Sequence, residues 1–205
     1  MNDDIITLAI EPSTVIAGDS VRLIFTKSIY DMALGVLSYP VLSKADYRRI
    51  WEFRKENDEL YFSVAEPHFA FVFSVFNIDR ETFIAEIKGK AKGFRPFEFE
   101  IKCAMVNKDA FLDCFHILLV PDKGYSSIVK LHDKLYSGIL FKEQRLDIDF
   151  IPHIGIGNSP DKYTVKSWVD QWNGREFSIK GEIITLTIVD YIDGILSDIV
   201  EIKLE

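Results

Sequence analysis

Cysteine and histidine are scarce in this chain, with two of the first and four of the second among 205 residues. Cys103 and Cys114 show no C-x-x-C spacing, and no helix pairs two histidines, so a zinc site is short of donors. No metal and no cofactor is expected. Long hydrophobic runs are missing as well. No apolar stretch approaches the ~20 residues of a membrane span, and no membrane contact is expected. Positive charge is in deficit, with a net −8, which excludes an extended, non-specific DNA-binding surface. It leaves room for a local pocket that takes a nucleotide. The basic stretch Lys88-Gly89-Lys90-Ala91-Lys92-Gly93-Phe94-Arg95 reads as a solvated helix end, where positive charge complements the dipole. The start, Met1-Asn2-Asp3-Asp4, lacks the basic region of a targeting peptide, and with so few cysteines this points to a reducing cytoplasm.

Apolar residues make up 48% and charged residues 27%, a globular balance, and sixteen phenylalanines favour sheet-rich packing. Residues 4–10 and 21–27 read as strands joined by turn residues around Pro12 and Gly18. We therefore treat 1–30 as a short N-terminal β extension and 31–205 as the main domain. There, the pattern predicts a strand at 31–38 and then a helix from Ser43, with Asp46 completing an acidic capping box. A strand at 68–76 and a helix at 80–91 follow. Next come a hairpin of 97–106 and 110–120, a helix at 125–140, a strand at 148–157 and a helix at 162–173. Strands at 176–191 and 196–204 finish the chain. The second half repeats the order of the first: helix, Pro-His strand, helix, hairpin. The implied fold is α+β, with two pseudo-symmetric lobes, each an antiparallel sheet with helices, flanking a central cleft.

The repeated strands carry Pro67-His68-Phe69-Ala70 and Pro152-His153-Ile154-Gly155. With seven prolines in the chain, two of four histidines following proline by chance is about a one-in-a-hundred event. Alternation places Phe69, Phe71 and Phe73 on one face and His68, Ala70, Val72 and Ser74 on the other. In the second motif Ile154 and Ile156 oppose His153, Gly155 and Gly157. Each histidine is followed on its own face by a small residue, which leaves room for a ligand. Near neutral pH one imidazole can be neutral while another is protonated, the pair that general acid–base catalysis at phosphorus needs.

Two such strands in repeated lobes resemble the two-histidine (2H) phosphoesterases, which include the 2'-5' RNA ligase-like proteins and cyclic phosphodiesterases. Their signature is His-x-Thr/Ser-x, twice, and EPHFAFVF and IPHIGIGN stand in those places. The resemblance covers roughly residues 31–192. It implies His68 and His153 as acid and base, in either order, acting without a metal on a 2',3'-cyclic phosphate or a 2'-5' phosphodiester of a nucleotide or RNA end. It implies phosphate contact at Ala70 and Gly155, where the family's hydroxyls are missing. The other reading is a binding module of the same fold that holds a nucleotide or RNA end without chemistry.

Among the remaining candidates, His116 reads as structural or as a cleft contact, and His132 as exposed. Trp51, Trp168 and Trp172 read as core. Cys103 and Cys114 read as small buried residues on adjacent strands. Gly155-Ile156-Gly157 is no dinucleotide fingerprint, because Pro160 occupies the third glycine's place.

Overall fold

The computed structural model describes residues 33–192 and 194–205. The expected extension at 1–30 lies outside them. The elements run β1 (Ala33–Ser38), β2 (Val41–Leu42), α1 (Lys44–Asn57), β3 (Phe69–Val75), α2 (Arg80–Ala91), β4 (Phe97–Lys108) and β5 (Phe115–Lys123). After them come α3 (Tyr125–Leu135), a 3-10 helix (Gly138–Glu143), β6 (Ile154–Ser159), α4 (Lys162–Asn173), β7 (Ile179–Ile183), β8 (Thr185–Ile192) and β9 (Ile195–Lys203). No helix among the described residues is long and apolar enough to cross a membrane.

Among the described residues the strands form two antiparallel sheets, ordered β3-β1-β8-β9 and β2-β7-β4-β5-β6. Helices α2 and α3 pack on the first, α1 and α4 on the second. One core joins them: Phe69 of β3 meets Phe99 of β4 edge to face at 5.0 Å, both rings buried. This is the two-lobed α+β fold, but the lobes do not follow the sequence halves. The hairpin β4–β5 of the first half pairs with β6 and β7 of the second, and α1 packs on β6. The crossing is made inside the run expected as one strand, 176–191. Ile183 pairs with Phe97 in one sheet, Thr185 pairs with Lys203 in the other, and the carbonyl of Ile184 between them accepts from the Leu204 amide at 2.9 Å.

Local chemistry explains most boundaries. Ser43 accepts from the Asp46 amide and starts α1; Asp79 and Asp161 do the same for α2 and α4. The helix expected to reach residue 140 stops at Leu135. Gly138 then takes φ +66, a conformation that suits glycine, and Ile139 is exposed rather than part of the apolar stripe. The expected alternation of β3 breaks after Phe71. Pairing with β1 is irregular around Val36, so Val72 and Val75 are buried and Phe73 only half-buried. Regular structure in the second motif begins at Ile154 and not at residue 148.

Strand β3 is a sheet edge, whose outward backbone groups need partners. Helix α3 supplies them. His132 donates from Nδ1 to the Phe71 carbonyl at 2.8 Å, and Tyr136, one turn on, accepts from the Phe73 amide at 2.9 Å. His132 is therefore buried, stacked on Phe150 at 3.6 Å, and not exposed as its place off the stripe suggested.

Helix α1 approaches β6 closely at Gly157, where a Cβ would stand 3.0 Å from the Asn57 carbonyl oxygen and 3.1 Å from an Ile117 methyl. At Gly155 a Cβ would meet nothing within 4 Å. Gly157→Ala should therefore cost about 1–3 kcal/mol in a denaturant melt, while Gly155→Ala should stay within about 0.5 kcal/mol of wild type.

Candidate active site

Each histidine sits directly after a proline and directly before the first residue of its strand. Proline has no N–H to join a ladder, so pairing starts only beyond the histidine. The ring turns back instead. His68 Nδ1 bonds the carbonyl of Glu66 at 2.7 Å, and His153 Nδ1 bonds the carbonyl of Ile151 at 2.6 Å. A carbonyl can only accept, so in both rings Nδ1 carries the proton. In each neutral imidazole, Nε2 then holds the free lone pair. The two motifs are alike in hydrogen bonding as well as in sequence.

Both rings are held below the ordinary imidazole range, chiefly by burial. Burial pushes His68 down to about 4, against the pull of its bond to the Glu66 carbonyl and with the Arg54 guanidinium adding to the depression. Burial also lowers His153, against the pull of its bond to the Ile151 carbonyl. Both rings keep part of their surface open yet sit deep enough to resist protonation. Ala70 is half-buried beyond His68 in β3, and Gly155 half-buried beyond His153 in β6.

Around His68, α1 sets the frame. Its Tyr47 donates to the Glu66 carboxylate, the residue whose backbone holds the ring. Tyr39 packs edge-on against His68 at 6.2 Å and donates to Asp198 of β9. Arg54 is buried and pairs through Nε with Asp58 at 2.8 Å. The other Asp58 oxygen accepts from Asn158 of β6 at 2.5 Å, tying α1 to the second histidine strand. Arg54 falls at the helical spacing of Tyr47, Ile50 and Trp51 in the sequence. Its signal was a charged residue at an otherwise apolar spacing.

His116 lies at the end of β5, where Nε2 is 2.8 Å from Asp109 Oδ2 and 3.6 Å from Cys114 Sγ. These three side chains could hold a metal ion. Spacing rules missed them because the hairpin, and not a short motif, gathers them. Cys103 is exposed, unlike the buried Cys114. Of the tryptophans Trp172 is buried and contacts Phe53, while Trp168 and Trp51 are partly buried. A groove of about 530 Å3 runs along β2 and α1 past Lys44, Tyr47 and Arg48. Neither histidine lines it.

The family model described as 2'-5' RNA ligase superfamily matches residues 42–194. The chain belongs to this superfamily. Solved structures agree on the fold. E. coli LigT complexed with 3'-AMP is 13% identical with a TM-score of 0.57, over 84% of this chain and 98% of LigT. TT0787 of Thermus thermophilus is 11% identical with a TM-score of 0.56, over 84% of this chain and 97% of its own. Kluyveromyces marxianus Usb1 is 6% identical with a TM-score of 0.50, over 85% and 99%. No curated protein matches the chain in sequence. At such identities the superfamily's structures speak for the two-lobed fold alone.

The depressed histidines fix a pH dependence. Between the ordinary value near 6.5 and the folded value of about 4 for His68, the unfolded chain binds protons that the folded chain refuses, so stability falls as pH falls. His132 and His153 are lowered as well and add to the same window. Unfolding free energy measured by denaturant should decline from pH 6.5 to 4, and His68→Asn should flatten the decline.

Proposed function

We propose that His68 and His153 are the acid–base pair of a phosphoesterase that opens a 2',3'-cyclic phosphate, or cleaves a 2'-5' linkage, at a nucleotide or RNA end. The observation that carries this reading is the matched Nδ1–H to carbonyl bond, which leaves both Nε2 atoms free for proton transfer. One Nε2 takes a proton from water as its oxygen attacks phosphorus. The other imidazole, protonated at Nε2, gives its proton to the leaving ribose oxygen. Burial favours two neutral rings, and a phosphate anion bound beside them would favour the protonated form of one. The ligand class is supported by LigT, whose structures are complexed with 3'-AMP, ATP, NADP+ and phosphate.

A second reading, a nucleotide or RNA-end binding module, is favoured by one observation. Ala70 and Gly155 offer no hydroxyl where the family pattern has Thr or Ser. Each lost hydrogen bond to an anionic group costs about 1.5–3 kcal/mol.

His68→Ala and His153→Ala should each lower turnover of a 2',3'-cyclic nucleotide by about 10²–10⁴-fold. If wild type and both variants are equally inert across a panel of such substrates, while a nucleotide still binds, the second reading holds instead. Gly155→Ser, placed where the backbone has open space, and Ala70→Thr should each raise kcat/KM by about tenfold or more.

A further inference from the structure

We propose that Asp109, Cys114 and His116 form a binding site for one zinc-class divalent cation at the end of the β4–β5 hairpin. The ladder places them there. His116 pairs with Asn107 across the hairpin, and the Asp109 amide donates to the Cys114 carbonyl at 3.0 Å, which extends the pairing past the last strand residues. Side chains two residues apart share a strand face, so Cys114 and His116 lie side by side and Asp109 stands across from Cys114. The three donor atoms lie within 4.8 Å of one another.

The geometry argues against the main alternative, a nucleophilic thiol activated by a histidine and an acid. Such a relay uses opposite nitrogens of the ring. Here the carboxylate, at 2.8 Å, and the sulfur, at 3.6 Å, both approach the same atom, Nε2. Three donors converging on one point is the pattern of a cation's ligands. The carboxylate is already oriented for that role. Its Oδ1 accepts the Phe111 and Leu112 amides at 2.7 and 2.6 Å, which turns Oδ2 toward the ring. Cys114 is buried, while Asp109 and His116 are 13% and 14% exposed, so an ion has a way in. One sulfur, one imidazole nitrogen and one carboxylate oxygen suit zinc or cobalt, not magnesium or calcium, which take oxygen ligands. Three protein ligands leave a fourth position for water. The thiol gives up its proton to solvent as the metal–sulfur bond forms. This site stands independently of the phosphoesterase reading.

Cobalt is the probe, because a cobalt–thiolate bond absorbs in the near ultraviolet. The full chain, freed of metal, should bind one equivalent of Co2+ with that charge-transfer band, and Zn2+ should displace it. The chain has one other thiol, Cys103. Cys103→Ser should keep the band and Cys114→Ser should lose it. His116→Asn and Asp109→Asn should weaken binding by at least about tenfold, the loss that even an outer partner's removal produces. X-ray absorption on the zinc-loaded wild type should show one sulfur in the shell, a readout that survives if a variant fails to fold. Wild type without a thiolate band, a band that follows Cys103, or a shell without sulfur would each overturn the proposal.

Discussion

The bond from each imidazole to the carbonyl two residues before it is the constraint on which the site rests. It spans a proline in both motifs, Glu66-Pro67-His68 and Ile151-Pro152-His153. Proline removes the amide that would have extended the ladder, so each strand opens at the residue after the histidine and the ring sits at the mouth of its sheet. The hydrogen bond itself contributes only about 0.5–1.5 kcal/mol net. Its larger effect is to choose the tautomer. Without it, either ring nitrogen could carry the proton, and no fixed Nε2 lone pair would exist at either mouth.

Helix α1 bears on the surroundings of both histidines. The helix packs on β6, with Gly157 allowing the approach. Its Tyr47 holds the Glu66 side chain beside His68, and its Arg54 reaches Asn158 through Asp58. One helix therefore references both histidine strands. The Arg54–Asp58 pair is buried, and breaking such a pair by removing one partner costs about 3–5 kcal/mol. It is also placed electrically, since the Arg54 charge helps keep His68 neutral. The chain crossing at Ile184, from β7 to β8, adds a covalent tie between the sheets that no side chain could replace.

Much of this was legible in the sequence, for physical reasons that differ by feature. The proline–histidine pairs stood out because proline both ends pairing and is rare. The helix starts at Ser43, Asp79 and Asp161 were visible because capping is a local interaction. What could not be read depends on pairing, register and loop closure that no local pattern sets. His132 looked exposed because it lies off the apolar stripe of α3, and only the edge of β3 gives its ring a buried partner. The bulge that buries Val72 in place of Phe73 is set by register with β1. The break at Ile184 lies within an apolar, β-branched run that carries no turn residue. Asp109, Cys114 and His116 meet only because the hairpin closes between them. Each sheet takes strands from both halves for the same reason: order along the chain repeats, but pairing does not follow the repeat.

The missing hydroxyls at Ala70 and Gly155 can be weighed against the histidines by asking when each contact acts. A hydroxyl that bonds a non-reacting phosphate oxygen does so in the bound substrate and in the transition state alike. Losing it weakens binding and leaves the barrier from the bound complex nearly unchanged, so KM rises while kcat holds. Proton transfer acts only in the transition state, so loss of an imidazole appears in kcat. If His68 and His153 are the proposed acid–base pair, the two departures at about tenfold to a hundredfold each fall on affinity, and the two imidazoles preserve the proton-transfer step. On the proposed reading, the balance favours a phosphoesterase that holds its substrate loosely over a binder that has lost its reaction. A binder would be expected to lose the proton-transfer groups and retain the phosphate contacts, and this chain shows the opposite pattern: Nδ1 protonated in both rings, which leaves Nε2 the lone pair, and neither Thr nor Ser at Ala70 or Gly155.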